Sequence, residues 1–331
     1  MLQYLLAILL LTFPSPASDE SRPSYMMFWN LENFFDYKDG GTGEADKEFS
    51  SFGGRHWSKK KFFAKCRAVA KSILWVGEQY GALPGLIGFA EIENRFVLER
   101  LINDTALRKL DYGIVHYESS DPRGIDVALL YRKSEFKLIE SRSYKVAEEK
   151  DSVFLRTRDI LSARFCYLAP AKGQAENLRI LVNHHPSKFG GGASAWKREK
   201  ALKKLAEIKD SLYFTGERAI IAAGDFNDTP DNKLFQILTN DKDSIPGLIN
   251  KAAALAKEGT IKFNGKWEII DMFFVSKYLD ASEMKIIHIP FLMTKDKAHS
   301  GIKPLRTYSG PRFIGGVSDH CPILLKIKAR E

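Results

Sequence analysis

Carboxylate, amide and histidine side chains follow apolar stretches at several separate places in this 331-residue chain. Five predicted strands end in such residues, which are Asn30, Glu91, His184, Asp225 with Asn227, and Asp319 with His320. A sixth position, Asp271, stands at the start of the otherwise apolar stretch IIDMFFV. A buried carboxylate costs free energy unless it is paired or holds a metal ion, and the ends of neighbouring strands lie side by side. The pattern therefore predicts one polar cleft, and oxygen donors such as Glu91 and Asp319 suit Mg²⁺ or Mn²⁺.

Each of these residues has a simpler interpretation when it is taken alone. Asn30 is also typical of a residue that caps a turn, and the stretch GDFNDTPDN around Asp225 is also typical of a loop with Asp and Asn at turn positions. The pair His184 and His185 fits an exposed loop, and Asp319 fits an ordinary turn. Independent accidents would not all fall at strand ends in one chain, so the combination favours a shared site.

Strands and helices are mixed through both halves of the chain. Apolar runs predict strands at residues 25–29, 84–91, 112–116, 126–131, 137–144, 160–167, 178–183, 218–223, 269–275 and 322–327. Helical periodicity predicts helices at residues 58–76, 95–110, 194–213 and 231–239. Residues 36–56 are polar and rich in glycine, which predicts a long loop. Because no linker divides the halves, we expect one domain over residues 25–331, with two sheets flanked by helices.

The chain is basic, with 50 Lys and Arg residues against 41 Asp and Glu residues and a net charge of +9. An excess of this size attracts polyanions, which favours nucleic acid or an anionic membrane surface as a partner. Many basic proteins bind neither, so the charge alone decides nothing. Hydrophobic residues make up 44% of the chain, which is enough for a sizeable core.

The first 18 residues, MLQYLLAILLLTFPSPAS, are typical of a secretory signal peptide. The apolar run from Leu2 to Phe13 is too short to span a bilayer, and Ala17 is a suitable cleavage position. The alternative is a buried N-terminal helix, since the segment before the run has no Lys or Arg. We expect a secreted or periplasmic bacterial protein without stable membrane insertion, because no other stretch is apolar enough to span.

Cysteine does not carry the predicted chemistry. Cys66, Cys166 and Cys321 are widely separated, and their spacing matches no zinc site. At most one disulfide is possible in an exported protein. The simpler interpretation is that the three cysteines are small, buried apolar side chains.

The segments WNLENFF, FAEIEN, VNHHPS, GDFND, IDMFFVS and SDHCPILL resemble, in order, the motifs of the endonuclease/exonuclease/phosphatase superfamily. The resemblance covers roughly residues 25–328, and GDFN and SDH are its most specific parts. It implies a DNase I-like α/β fold, a four-layered α/β/β/α sandwich in which two mixed sheets pack face to face with helices outside. The likeness is greatest to secreted bacterial members whose substrates are poorly defined.

Roles at the metal and catalytic positions follow from the resemblance. It implies a Mg²⁺ or Mn²⁺ site that involves Asn30, Glu91 and Asp319, with Glu91 as the carboxylate ligand. It further implies catalytic roles in which Asp225 and Asn227 position the attacking water and bind phosphate, Asp271 orients His320, and His184 assists the leaving oxygen.

Basic residues near these motifs are predicted to contact phosphate. Arg158 matches a phosphate-contacting arginine of DNase-like members, although Arg156 is a near competitor. Lys188, which precedes Gly190, Gly191 and Gly192, offers an ammonium beside a loop of backbone N–H groups, and a flexible turn is the alternative. Arg123 and Arg306 are further positions at which phosphate contacts are predicted.

The substrate is less defined than the chemistry. The first hypothesis is a secreted endonuclease on DNA or RNA, favoured by the charge, by export and by His184. The second is a phosphatase or phosphodiesterase on a lipid, inositol or other small phosphate ester. The third is an inactive member that only binds polyanions, and the complete set of polar residues opposes it. Apurinic endonucleases typically carry Tyr-x-Pro-Asn where this chain has NHHPSK.

Overall fold

The computed structural model describes residues 24–38, 40–41, 43–146, 149–150, 153–168, 176–188, 194–255, 258–279 and 281–327. The predicted signal peptide, residues 1–18, and the glycines Gly190, Gly191 and Gly192 lie outside these residues, so the predictions made for them stay predictions. Within the described part, no helix has the length and apolar character needed to cross a membrane.

The strands of the described residues are numbered in chain order. The first ten are β1 (Ser24–Phe34), β2 (Pro84–Ile92), β3 (Tyr112–His116), β4 (Asp126–Arg132), β5 (Phe136–Tyr144), β6 (Glu149–Lys150), β7 (Val153–Phe154), β8 (Ile160–Tyr167), β9 (Glu176–His184) and β10 (Ile220–Asp225). The others are β11 (Leu248–Asn250), β12 (Ile261–Phe263), β13 (Lys266–Glu268), β14 (Asp271–Ser276), β15 (Ala281–Ile286), β16 (Met293–Lys295), β17 (Ile302–Pro304), β18 (Tyr308–Ser309), β19 (Arg312–Phe313) and β20 (Ile323–Ile327).

The α-helices are α1 (Lys59–Tyr80), α2 (Arg95–Asn103), α3 (Ala195–Phe214) and α4 (Gln236–Thr239), and short 3₁₀ helices lie at Ala106–Lys109, Lys233–Phe235 and Pro290–Leu292. The ends of α1 follow from local chemistry. The Ser58 side chain accepts a hydrogen bond from the Lys61 amide at the start, and Gly81 adopts the left-handed φ of 77° that ends the helix.

Two six-stranded sheets form the body of the protein. Their strand orders are β15-β20-β1-β2-β4-β3 and β11-β14-β10-β9-β8-β5. The central pairs β1–β2 and β9–β10 are parallel, and the other neighbouring pairs are antiparallel. The sheets are therefore mixed, and each has its parallel pair in the middle.

Alternation along β1 shows how the layers pack. Met26 and Phe28 belong to the core between the two sheets, and the same hydrophobic cluster continues through the second sheet to Leu205 of α3 on its outer face. Met27 belongs to the other core, together with Phe62 of α1 on the outer face of the first sheet. Successive strand residues point to opposite faces, so one strand serves both cores. The predicted four-layered α/β/β/α sandwich is confirmed.

Some predicted element boundaries differ from the structure. The strand predicted to end at residue 29 continues as β1 to Phe34, because Phe34 pairs with Ile92 of β2. The helix predicted over residues 95–110 ends at Asn103, because the Thr105 hydroxyl accepts a hydrogen bond from the Leu107 amide and starts a separate 3₁₀ turn. Short strands such as β11, β15 and the paired strands β12–β13, β16–β17 and β18–β19 were not predicted.

The prediction that a strand ends at Asp319 and His320 was wrong, because both residues precede β20. The strand β20 runs antiparallel to β1, so its start lies beside the end of β1. Asp271 likewise opens β14, which runs antiparallel to β10. An antiparallel strand delivers its first residues to the edge where its neighbour delivers its last.

Candidate active site

Asp225, the last residue of β10, lies at the centre of the cluster that the sequence predicted. Its register partners are His184 on the parallel strand β9 and Asp271 on the antiparallel strand β14. Three residues from three neighbouring strands of one sheet therefore reach the same edge. All three side chains are buried.

The first sheet contributes Asn30 to the same point. The Asn30 amide nitrogen Nδ2 donates a hydrogen bond to Asp225 Oδ2 at 3.0 Å, and the Asn30 oxygen Oδ1 accepts one from the Glu32 amide at 2.9 Å. The second contact fixes which end of the side chain faces Asp225. Because the two strands belong to different sheets, the cleft lies across the sandwich rather than on one sheet.

His320 and Asp271 form a hydrogen-bonded pair, with 2.8 Å between His320 Nδ1 and Asp271 Oδ2. The other ring nitrogen, Nε2, faces the cleft at 3.9 Å from Asp225 Oδ2. Burial by itself lowers the pKa of His320, but the carboxylates of Asp271, Asp225 and Asp319 outweigh it and raise the pKa well above the ordinary value. His320 is thus a positively charged donor at neutral pH.

The main chain at His320 is also held in place. The Ser318 hydroxyl accepts a hydrogen bond from the His320 amide at 2.9 Å and donates one to the Asn30 carbonyl at 2.6 Å. The Trp29 indole donates to the His320 carbonyl at 2.9 Å. These contacts tie the loop before β20 to the end of β1, so the imidazole position is determined by both strands.

Asp225 has the protonation behaviour of a group that exchanges protons near neutral pH. Burial, and then the neighbouring Asp271 carboxylate, raise its pKa to about 7, while His320 and the hydrogen bond from Asn30 act in the opposite direction. A carboxylate with this pKa is a far stronger base than an exposed one.

His184 differs from His320 in charge. Burial, and then the positive charges of Arg158 and Arg123, lower its pKa well below the ordinary value, so the ring is neutral at neutral pH. Its Nε2 lies 3.7 Å from Asp225 Oδ2 and 3.9 Å from Glu91 Oε1. Its Nδ1 is buried and has no hydrogen-bond partner among the described residues. The ring therefore presents Nε2 to the cleft.

Glu91 adopts a left-handed backbone conformation, with φ of 61°. This conformation is unfavourable for a residue with a side chain and is concentrated at functional sites. Glu91 Oε2 accepts a hydrogen bond from the Asn33 amide at 2.7 Å, whereas Oε1 accepts none from the described residues. One oxygen of the carboxylate is thus held while the other is available to a ligand.

Asn227 also has a left-handed backbone, with φ of 50°. Its amide N–H donates to Asp225 Oδ1 at 2.9 Å, which leaves Oδ2 facing the other cleft residues. Its side-chain nitrogen donates to the His185 carbonyl at 3.0 Å. In the structure Asn227 therefore orients Asp225 and the end of β9, and its predicted phosphate contact stays a prediction.

Asp319 approaches the ring nitrogen of His320 that Asp271 does not contact. Its Oδ2 pairs with Arg306 at 3.2 Å, and its Oδ1 lies 3.9 Å from His320 Nε2. The Arg306 guanidinium also pairs with Glu32 at 2.7 Å. Burial, and then the Asp319 charge, raise the pKa of Glu32 to about 7.

Sequence reasoning missed Glu32 and Lys65. Glu32 lies inside the segment WNLENFF, and an acidic residue two positions after Asn30 was the signal from which it could have been found. Lys65 is buried in α1, and its ammonium donates to the Glu32 carbonyl at 2.7 Å and to Thr307 Oγ1 at 2.9 Å. Helical periodicity gave no indication that a lysine of α1 reaches the edge of the cleft.

The donor set fits a hard divalent cation. Glu91 Oε1, the Asp319 carboxylate and the Asn30 oxygen are the oxygen atoms that Mg²⁺ and Mn²⁺ prefer. Asp225, Asp271 and His320 also have ligand-type atoms within 4.8 Å of one another. The 2.8 Å contact between Asp271 and His320 is a hydrogen bond that leaves no space for an ion between these two atoms, and the metal site at Asn30, Glu91 and Asp319 stays a prediction.

The arginines predicted to contact phosphate lie in different environments. Arg158 is buried, and its guanidinium donates to the His184 carbonyl at 3.1 Å, to the His185 carbonyl at 2.6 Å and to Asp121 at 2.8 Å. The Arg158 guanidinium therefore stabilises the backbone at the end of β9. The Arg123 side chain is 43% exposed, and its Nη1 lies 4.0 Å from Glu91 Oε1. Arg123 is thus placed to meet an anion entering the cleft.

Lys188 lies near acidic side chains outside the Asp225 cluster. Its ammonium is 3.7 Å from Asp228 and 3.7 Å from Glu268. A phosphate contact by Lys188 would require it to leave these carboxylates, and this contact stays a prediction.

The comparisons with known proteins agree with the fold. A family model described as the Endonuclease/Exonuclease/phosphatase family matches residues 25–329. No curated protein matches the chain. Among solved structures, an endonuclease/exonuclease/phosphatase family protein from Bacteroides thetaiotaomicron is 15% identical, with a TM-score of 0.58 over 94% of this chain and 100% of that chain.

Two further structures have named activities or ligands. The mannosyl-6-phosphatase of Bacteroides thetaiotaomicron is 14% identical, with a TM-score of 0.59 over 92% of this chain and 100% of that chain. D. rerio TDP2 complexed with a single-strand DNA product is 14% identical, with a TM-score of 0.52 over 93% and 100%. Identities this low establish the fold alone. Because the family model spans nearly all of the sequence, the chain belongs to the endonuclease/exonuclease/phosphatase family, whose name describes hydrolysis of phosphate esters.

Proposed function

We propose that the protein is an exported, divalent-metal-dependent phosphoesterase that cleaves phosphodiester bonds of DNA or RNA. One observation carries the proposal. Asn30 Nδ2, His184 Nε2 and His320 Nε2 lie 3.0, 3.7 and 3.9 Å from the same atom, Asp225 Oδ2. A base with a raised pKa is thereby surrounded by donors that reach it from both sheets. This is the arrangement that water attack on an anionic ester requires.

Different residues of the site have different roles in in-line hydrolysis. Glu91 and Asp319, with Asn30 nearby, would hold a Mg²⁺ or Mn²⁺ ion, which would supply positive charge to offset the negative charge on the phosphate and the departing oxygen. Asp225 aligns the water and accepts its proton as the new P–O bond forms. Positioning of this kind lowers the barrier by several kcal/mol.

The two histidines act on different oxygens. His320, which is charged and held by Asp271, donates from Nε2 to a phosphate oxygen that gains charge in the transition state. His184, which is neutral, donates a hydrogen bond from Nε2 to the departing oxygen as its bond to phosphorus breaks. Asp271 keeps the His320 ring in one orientation, so it is a positioning residue.

The charge distribution supports nucleic acid as the substrate. The net charge is +9, and Arg123 and Arg306 at the cleft are half-exposed cations that suit the phosphates on either side of a scissile bond. The structural likeness to TDP2 with a single-strand DNA product is compatible with this choice. The likeness to a mannosyl-6-phosphatase keeps a small phosphate ester as the second proposal.

The deciding experiment compares substrates under one set of conditions. The purified protein is incubated with plasmid DNA, single-stranded RNA and a panel of sugar and inositol phosphates, with Mg²⁺ or Mn²⁺ and then with chelator. Metal-dependent nicking of plasmid or cleavage of RNA supports the first proposal. Turnover of small esters alone supports the second, and binding without turnover would mean that the protein is an inactive polyanion binder.

Matched variants connect the activity to the site. Asp225→Asn and His320→Ala should each lower the rate by about a hundredfold or more. Asp231→Asn is the control, because Asp231 follows Asp225 in the same loop and is exposed. Equal activity of Asp225→Asn and Asp231→Asn would remove Asp225 from the mechanism.

Export is proposed from residues 1–18 alone. Mass spectrometry of the N-terminus after expression in a bacterial host, with separate analysis of the cytoplasm, periplasm and medium, tests it. Removal of a segment that ends near Ala17 is expected, and an intact N-terminus in the cytoplasmic fraction would contradict it.

A further inference from the structure

We propose that the loop of residues 36–56 holds a second divalent cation, Ca²⁺, between Asp46 and Glu93, with Asp36 as a third carboxylate beside them. The place is where this loop packs against the residues that follow β2. Its contacts differ from those of Glu91, which reaches Asn33 and the cleft.

Three carboxylates at this place have no basic side chain beside them within the described ranges. Asp36, Asp46 and Glu93 are only 7%, 2% and 5% exposed. None of them has a Lys or Arg within ion-pair distance among the described residues, although their neighbour Glu91 faces Arg123 at 4.0 Å. Carboxylates removed from water are strongly unfavourable unless a cation or a proton neutralises them.

One oxygen atom each of Glu93 and Asp46 lacks a hydrogen-bond donor among the described residues. Glu93 Oε2 accepts a hydrogen bond from the Asp36 amide at 2.7 Å, and Asp46 Oδ2 accepts one from the Gly41 amide at 2.8 Å. The other oxygen of each group, Glu93 Oε1 and Asp46 Oδ1, is buried and has no partner in the described part of the chain. Each carboxylate is therefore fixed by the backbone through one oxygen, and its other oxygen faces the partner carboxylate, so that only a proton or a cation can lie between the two groups.

Both carboxylates approach the same side of Gly41. A Cβ on Gly41 would lie 2.8 Å from Glu93 Oε1 and 3.1 Å from Asp46 Cγ. Only a glycine leaves the space in which these two groups meet. Two like-charged groups gathered around one small space indicate that something positive belongs there.

Asp36 adds charge and rigidity to the site. Its Oδ1 accepts from the Lys38 amide at 2.6 Å, and its Oδ2 accepts from the Asn94 side chain at 3.1 Å. Because both of its oxygens already accept hydrogen bonds, Asp36 adds negative charge next to the ion and is not a direct ligand. Several carboxylates with nearby backbone in an irregular loop suit Ca²⁺, whereas Mg²⁺ keeps most of its waters and takes one or two carboxylates.

Occupancy would stabilise a contact next to the cleft. The Glu44 amide donates to the Pro122 carbonyl at 2.8 Å, and Gly43 packs so closely that an added Cβ would overlap the Arg123 carbonyl. The loop that contains Asp46 therefore supports the backbone that presents Arg123. The expected role of the ion is to hold this loop in place.

The test measures thermal unfolding of the full chain after chelation, with and without added Ca²⁺. Ca²⁺ should raise Tm by several degrees in the wild type and in Glu91→Gln, which removes the carboxylate assigned to the catalytic metal. The rise should be absent in Asp46→Asn and Glu93→Gln and present in the matched control Glu44→Gln, an exposed residue of the same loop.

A direct binding measurement uses Tb³⁺, which prefers the same oxygen ligands and luminesces when a nearby indole is excited. Trp57 is buried and donates to the Phe35 carbonyl at 2.9 Å, one residue before Asp36. Saturable luminescence displaced by Ca²⁺ in the wild type and Glu91→Gln supports the site. No Ca²⁺ effect on Tm or Tb³⁺ in either protein, or an effect lost in Glu91→Gln and kept in Asp46→Asn, would overturn it.

Discussion

Asn30 and Asp225 are 195 positions apart in the chain, and their side chains are joined by a hydrogen bond of 3.0 Å. Asn30 belongs to β1 of the first sheet and Asp225 to β10 of the second, so this contact spans the space between the sheets. It places an amide donor against a carboxylate whose pKa is about 7. The hydrogen bond that joins the two sheets at the cleft therefore also opposes the rise in the pKa of Asp225 that burial causes.

Replacing Asn30 should change the chemistry more than the fold. Asn30→Ala removes a donor to Asp225 and an oxygen from the proposed metal side, so kcat should fall by about a hundredfold. Asn30→Asp should be at least as inactive, because a second negative charge beside Asp225 raises its pKa further. Steady-state kinetics and Tm measure the two effects. Near-normal kcat in both variants would mean that this contact is only structural.

The Asp271–His320 pair predicts a pH-dependent stability. The folded pKa of His320 is raised above its unfolded value of about 6.5, so its stabilising effect is complete below that pH and is lost as pH rises through the folded pKa. In chelated protein, the free energy of unfolding of Asp271→Asn should therefore be lower than that of the wild type. This difference should be largest at about pH 6 and should become smaller at higher pH. Denaturant titrations at several pH values measure it. A gap independent of pH would exclude a charged His320.

Removal of the metal should stop turnover reversibly. Chelation should abolish hydrolysis, and Mg²⁺ or Mn²⁺ should restore it in the wild type. Glu91→Gln should keep the fold but need far more metal and lose about a hundredfold in kcat/KM, because the free oxygen Oε1 is replaced or neutralised. Metal-titrated initial rates provide the measurement. Full activity in chelator would contradict metal dependence.

Arg158 and Arg123 should separate stability from substrate binding. Arg158→Met removes the buried guanidinium that pairs with Asp121 and leaves it only the more exposed Arg123, at 3.6 Å, which should lower the free energy of unfolding by about 3–5 kcal/mol. Arg123→Met, at an exposed guanidinium, should raise KM while it changes stability little. Urea unfolding and kinetics on both variants decide between the roles. A stable Arg158→Met with only a raised KM would restore the phosphate contact that sequence reasoning predicted.

The sequence was sufficient to predict where most of the longer strands lie along the chain and to identify most of the cleft residues. Strands such as β3 and β8 have the predicted bounds, because apolar runs bounded by polar residues are a local signal. Asn30, Glu91, His184, Asp225 and His320 were predicted from polar residues beside those runs. The side chains themselves determine which groups are expensive to bury, so their types can be interpreted without coordinates.

Contacts between distant segments could not be predicted in the same way. Nothing local shows that Arg158 donates to the carbonyls at the end of β9, or that Lys65 of α1 reaches the carbonyl of Glu32. The composition of a strand also does not show its direction in the sheet. For this reason the sequence prediction placed His320 after a strand, whereas it precedes β20. Periodicity indicates which face is apolar, but it does not indicate which neighbour the strand will pair with.

The sequence by itself therefore determined the set of chemical groups, the layered fold class and the expectation of a hydrolytic cleft. Only the tertiary structure decided how the groups act on one another: that Asp225 is the common neighbour, that His320 is charged while His184 is neutral, and that Asp46 meets Glu93. The physical reason is that burial and the distance between charges set protonation and ion binding, and both are properties of the packed chain.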